Sequence, residues 1–69
     1  MYDPLYWDDA YPIALLLKVA HPDIDPIELD HCVLHEWVIG LEGFADDPAV
    51  IYVEWLERIQ AEWVEIDSD

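Results

Sequence analysis

Leu34-His35-Glu36-Trp37-Val38-Ile39-Gly40-Leu41-Glu42-Gly43-Phe44-Ala45-Asp46-Asp47-Pro48 carries a helix, its stop, a core anchor and a new helix start in one short run. Leu34, Trp37, Val38 and Leu41 recur at the three-and-four spacing of a single helix face, and that face must be buried. Gly43 can take the left-handed conformation that ends a helix, and Phe44 is expected to set a second ring beside Trp37. Asp46-Asp47-Pro48 then reads as the opening of another helix, with Asp47 as its N-cap. The pattern predicts one helix from about Cys32 to Glu42 and a last helix from Pro48 or Ala49 to about Glu65.

Downstream, Tyr52, Leu56, Ile59 and Trp63 form the core stripe of that last helix, with Trp55 adjoining it, while Glu54, Glu57, Arg58 and Glu62 face water. Asp67-Ser68-Asp69 should fray, because negative charge at a helix C-terminus opposes the backbone dipole. Upstream, Pro22 biases His21 away from helical geometry. Asp25 is a good N-cap, Pro26 suits a first helical position, and Glu28 completes the spacing of a capping box. His21 to Pro26 is therefore a rigid turn between helices.

The helix before that turn ends near Ala20. Asp8 or Asp9 is placed to cap it, and Pro12 falls in its first turn, where proline is tolerated. Its inward set is Ile13, Leu16, Leu17 and Ala20, but Leu15 and Val19 add an apolar pair on the neighbouring face. The terminal segments are expected to cover that pair; the alternative is an exposed patch for a partner or a second copy. Met1 to Trp7 is irregular, with Tyr2, Tyr6 and Trp7 around Pro4. It can order only against the core, where Leu5 and Trp7 point to a brief strand.

At 69 residues the chain is expected to be one small domain over 1–69, with four Trp, four Tyr and one Phe supplying the bulk of its core. The lone Cys32 excludes an internal disulfide framework. Neither a signal peptide nor an apolar run long enough to span a bilayer is evident, so the expected setting is cytoplasmic. Seventeen acidic residues against Lys18 and Arg58 give a net charge of −15. That charge repels phosphate backbones and anionic membranes, which excludes nucleic acid and membrane as partners; a basic protein surface or a cation is what it attracts.

Reactive chemistry is thinly represented. His31 and His35 share a helix face, with Cys32 between them, but the paired short-spaced cysteines of a structural zinc site are absent. Cys32 and His35 stand three apart as a thiol and its base would, without an evident third residue to orient them. There is no phosphate-binding glycine loop and no serine elbow, so the chain reads as a non-enzyme. Asp23 and Asp25 are spaced to contribute to a metal site, although the segment lacks the glycine and closing glutamate of an EF-hand loop; capping is the expected role of Asp25.

Taken in order, the Pro22-Asp23-Ile24-Asp25-Pro26 turn, Leu34-His35-x-Trp37, Leu41-Glu42-x-Phe44, Asp46-Asp47-Pro48, Leu56-Glu57, Ile59 and Trp63 resemble the IscX family. These are the small acidic proteins of bacterial iron–sulfur cluster assembly, and the resemblance runs from Trp7 to about Glu65. It implies a mostly α, modified winged-helix fold with at most a minimal β pairing. It further implies binding to cysteine desulfurase, at a basic surface that frataxin also uses, and weak ferrous iron binding by surface carboxylates with no tightly bound cofactor. Ala45 stands where a third consecutive aspartate is common in the family, Tyr52-Val53 replaces a polar Asn-Glu pair, and Leu15, Leu16 and Val19 make the first helix more apolar.

The resulting expectation is a non-catalytic adaptor and regulator of cysteine desulfurase, docking through Asp8, Asp9, Glu42, Asp46 and Asp47. Asp23, Asp46 and Asp47 are the expected iron ligands. The chain is expected to be monomeric, with self-association through Leu15 and Val19 open to it. The alternative function is a diverged or redesigned helical interaction module that keeps the fold without desulfurase or iron binding.

Overall fold

A computed structural model describes residues 4–68; Met1, Tyr2 and Asp69, which belong to the terminal segments discussed above, lie outside the described residues. Three helices form: α1 over Ala10–Ala20, α2 over His31–Ile39 and α3 over Val53–Asp67, with a 3-10 turn at Pro26–Glu28 between the first two. The mostly α expectation holds. The β content among the described residues is one parallel bridge, Leu5 with Phe44. Among these residues no helix is long and apolar enough to cross a membrane.

Helix α1 packs chiefly on α3. Ile13 and Leu17 meet Leu34 and Val38 of α2 and Leu56, Ile59 and Trp63 of α3 in one cluster, all of them essentially without solvent exposure. A buried Trp such as Trp63 contributes about 3–5 kcal/mol relative to alanine, a large share for so small a core. Leu5 and Trp7 complete the cluster from the N-terminal segment, as their apolar character anticipates. Gln60 of α3 donates from Nε2 to the carbonyls of Pro26 and Leu29, which fixes the 3-10 turn against α3.

The details of α1 differ from the sequence pattern. Its buried face is Ala10, Ile13, Ala14 and Leu17, and Leu16 and Ala20 lie at the surface instead. The described residues do not cover Leu15 and Val19, which are 41% and 74% exposed. Asp9 precedes the helix, yet its side chain does not cap it. Asp9 Oδ2 accepts from the Tyr6 N–H at 3.0 Å, and its carbonyl accepts the Ile13 N–H at 3.1 Å. The carboxylate closes the preceding turn instead.

Helix α2 begins one residue earlier than expected, capped by Asp30, whose Oδ1 accepts from Cys32 N–H at 3.1 Å. It stops at Ile39 rather than Glu42, because Gly40 is a poor helix former and takes the C-cap. A four-residue turn follows, closed by Phe44 N–H to the Leu41 carbonyl at 3.2 Å, with Gly43 third at φ 94°. The left-handed glycine is thus present, but it reverses the chain after the helix has already ended. Leu5 N–H donates to the Gly43 carbonyl at 2.9 Å and Ala45 N–H to the Leu5 carbonyl at 2.8 Å, which makes the bridge.

Two further expectations fail around this turn. Phe44 packs edge-on against Trp7, with ring centroids 5.0 Å apart, while Trp37 stacks on His21 at 3.8 Å and leans on Trp63 at 6.5 Å. The last helix starts at Val53, not at Pro48 or Ala49, and Asp47 does not cap it. Asp47 Oδ1 accepts from Ala49 N–H at 3.0 Å and closes a separate local turn. Val50 and Ile51 are β-branched and Tyr52 is aromatic, which disfavours helix initiation, and Tyr52 is extended immediately before α3. At its other end α3 runs on to Asp67, which pairs with Lys18 of α1 at 3.2 Å and counters the expected fray there. So exposed a pair contributes about 0–1 kcal/mol.

Candidate functional site

The Leu5–Phe44 bridge brings the N-terminal segment and the loop 45–48 side by side, and four of the candidate acids, Asp8, Asp9, Asp46 and Asp47, lie where they meet. Asp46 is the most firmly held. Its Oδ2 accepts from the Trp7 backbone N–H at 3.0 Å, and its Oδ1 from the Asp47 N–H at 2.8 Å. These amides, that of Trp7 foremost, hold the Asp46 carboxyl below its ordinary 3.8 against a smaller upward push from desolvation. The Asp47 carbonyl accepts from Trp7 Nε1 at 3.1 Å, so the same loop grips both the backbone and the indole of one residue.

Tyr6, Trp7, Asp8, Asp46, Tyr52 and Trp55 line an open groove of about 420 Å³ at this junction. Asp8 and Asp46 are thus brought together, with Asp9 and Asp47 hydrogen-bonded to the backbone or ring of its walls. Glu42 and Asp23 are placed apart from them. Glu42 borders a separate, largely apolar groove of about 230 Å³ with Leu16, Val19, Ala20 and Leu41. Asp23 lines a third, of about 320 Å³, with Asp25, Glu28, Ile24 and Leu29. There Asp25 caps the 3-10 turn as expected, its Oδ1 accepting from Ile27 N–H at 3.1 Å.

Two of the three histidines serve as aromatic plates. His35 stacks on Trp7 with centroids 5.4 Å apart and planes 13° from parallel, and its Nε2 is buried with no hydrogen-bond partner among the described residues. His21 stacks on Trp37. Cys32 is exposed as a free thiol. Among the described residues no three His, Cys, Asp or Glu side chains converge in a way that would hold a metal ion.

The aromatic walls of the acidic groove are what sequence reasoning missed. Tyr52 and Trp55 follow the helical stripe and so read as core, yet Tyr52 precedes α3 and is 51% exposed. Tyr6, 45% exposed, reads only as part of an irregular segment. The one available signal is an aromatic supply larger than so small a core can enclose.

The sequence model of a family described as iron–sulphur cluster assembly matches residues 5–67. The chain is also 39% identical over 61 residues to the uncharacterized protein PA3808 of Pseudomonas aeruginosa, an alignment that spans 88% of this chain and 92% of that one. The chain belongs to this iron–sulphur cluster assembly family, the small acidic IscX-like proteins, and its role lies in the assembly of those clusters.

Proposed function

We propose that this chain is a non-catalytic acidic adaptor that docks on cysteine desulfurase and tunes its supply of sulfur to cluster assembly. The observation that carries the reading is the fixed carboxylate of Asp46 at the mouth of a groove shared with Asp8. Family membership supplies the pathway, and a net charge of −15 supplies the steering toward a basic partner. Asp9 and Asp47 reinforce the same edge, and Glu42 extends the negative field to the neighbouring surface.

Ferrous iron enters this reading as weakly held cargo. Hard carboxylate oxygens suit it, but Asp23 lines a different groove from Asp46. Asp23, Asp46 and Asp47 do not converge into one ligand set, so a diffuse, low-affinity association fits better than a chelate.

Calorimetry with a bacterial cysteine desulfurase tests the adaptor reading. Binding is expected at about 0.01 M ionic strength and should weaken by roughly tenfold or more at about 0.15 M, as the Debye length falls from about 30 to about 8 Å. Absence of binding at the lower ionic strength rejects the partner, and binding indifferent to salt rejects the electrostatic mechanism. The exposed Leu15 and Val19 support a second reading, an interaction module that pairs with its own copy.

A further inference from the structure

We propose that the groove bounded by Tyr6, Trp7, Asp8, Asp46, Tyr52 and Trp55 is an anchoring slot for one arginine side chain presented by a basic protein partner. The slot rests on the adaptor reading for the protein that carries the arginine, and on its own composition for the choice of guanidinium.

Four of its six lining residues are aromatic and two are carboxylates. A purely apolar ligand would cover the charges of Asp8 and Asp46 without a counter-charge, which disfavours an aliphatic anchor. A bare metal ion is held by converging donor atoms and finds no third carboxylate, imidazole or thiolate among the lining residues. A guanidinium uses both kinds of wall: its plane stacks on the exposed phenol rings of Tyr6 and Tyr52 and the half-buried indole of Trp55, the ring of Trp7 being already covered by His35 and Phe44, and its forked N–H donors match a carboxylate. An ammonium is a compact, strongly hydrated charge that fits the carboxylates but uses the flat rings less well. At about 420 Å³ the groove lies within the ~300–1,000 Å³ of ligand clefts.

The slot is also set before any ligand arrives. Trp7 is 3% exposed, held by Asp47 through its indole N–H and packed between His35 and Phe44. Asp46 is gripped by two backbone amides, and each of its oxygens keeps a lone pair for a further donor. The Tyr6 backbone is fixed by Asp9. Trp7 and Asp46 therefore need no ordering on binding, and the cost falls on the exposed rings of Tyr6 and Tyr52.

The chain's own cations do not fill the slot. Lys18 is paired with Asp67 near the C-terminal end of α3, whereas Tyr52 immediately precedes its N-terminus. Arg58 is exposed and does not line the groove. Among the described residues no Lys or Arg supplies the charge that complements Asp8 and Asp46.

The test is a titration of the ¹⁵N-labelled chain, followed by NMR, with an acetylated and amidated Gly-Arg-Gly peptide and with its lysine counterpart. Tyr6→Ala/Tyr52→Ala is the variant, because both rings are surface-exposed and a dispersed amide spectrum verifies its fold. Shifts should concentrate on the amides of Trp7, Asp46 and Trp55 and on the Trp55 indole. The arginine peptide should bind more tightly than the lysine peptide, and the variant should weaken it by about fivefold or more. Shifts scattered over the acidic surface, equal response to both peptides, or an unaffected variant would overturn the slot. Desulfurase titrated against the same two proteins separates the readings. A peptide that seats in the groove while the desulfurase does not bind rejects the partner and keeps the slot, and desulfurase binding without peptide seating rejects the slot alone.

Discussion

Two backbone amides 40 residues apart in sequence meet on one carboxylate at Asp46, and through it the N-terminal segment is tied to the loop that follows the Gly43 turn. Because both donors favour the ionised form, folding lowers the carboxyl below its ordinary 3.8. The sign of the linkage follows. The contribution of Asp46 is complete above about pH 5, where the carboxyl is ionised even in the unfolded chain, and it is lost as pH falls through 3.8 and on through the depressed folded value. Asp46→Asn keeps the shape and removes the charge, so it mimics the protonated residue. Thermal unfolding of the two proteins should show the wild type more stable at neutral pH, with the gap closing in acid below about pH 4. A gap of constant size down to about pH 2.5 would mean that the amides do not discriminate between the two protonation states.

At the scale of elements, α2 and α3 are started by different means. Asp30 supplies a hydrogen-bonded cap to α2, whereas α3 begins after Tyr52 with no side-chain cap and relies on the burial of Leu56, Ile59 and Trp63. Asp30→Ala should therefore cost about 1 kcal/mol in denaturant unfolding, while Asp47→Ala should leave the helical circular dichroism of α3 intact. Equal loss of helix signal in both variants would restore Asp47 as a cap. The contrast shows what the sequence made legible. Leu34 with Val38, and Leu56, Ile59 and Trp63, repeat over enough turns to declare both helices and their buried faces. Boundaries depended on local competition that periodicity does not register: Gly40 ended α2 early, and Asp47 spent its carboxylate on the Ala49 amide. Ring partners depended on contacts distant in sequence, which is why Phe44 met Trp7 instead of Trp37. The candidate site was legible as a list of acids but not as a place, since Asp8 and Asp46 become neighbours only through the Leu5–Phe44 bridge.

For the whole molecule the charge that would steer it to a partner also strains it. A net −15 is carried on a body measuring 28 × 27 × 16 Å, and among the described residues a single ion pair forms, Lys18 with Asp67. At about 0.01 M ionic strength the Debye length is about 30 Å, so every carboxylate feels nearly every other; at about 0.15 M it is about 8 Å, and repulsion is confined to near neighbours. Self-repulsion is larger in the compact state than in the expanded chain, so added salt should raise the unfolding midpoint. Each ~1 kcal/mol of relieved repulsion corresponds to roughly 4–8 °C in a domain of this size. The same screening weakens attraction to a basic desulfurase, so stability and binding should move in opposite directions along one salt series. Two copies, each at −15, repel as well, which opposes contact through Leu15 and Val19 when salt is low. Sedimentation at about 0.01 M ionic strength should accordingly show a monomer at every concentration, while thermal scans show the midpoint climbing with sodium chloride. A midpoint that falls with salt would show that attractive ion pairs, rather than repulsion among the carboxylates, dominate the folded surface. A concentration-dependent species at low salt would show that the apolar face of α1 overcomes the charge and would favour the self-pairing reading over the adaptor.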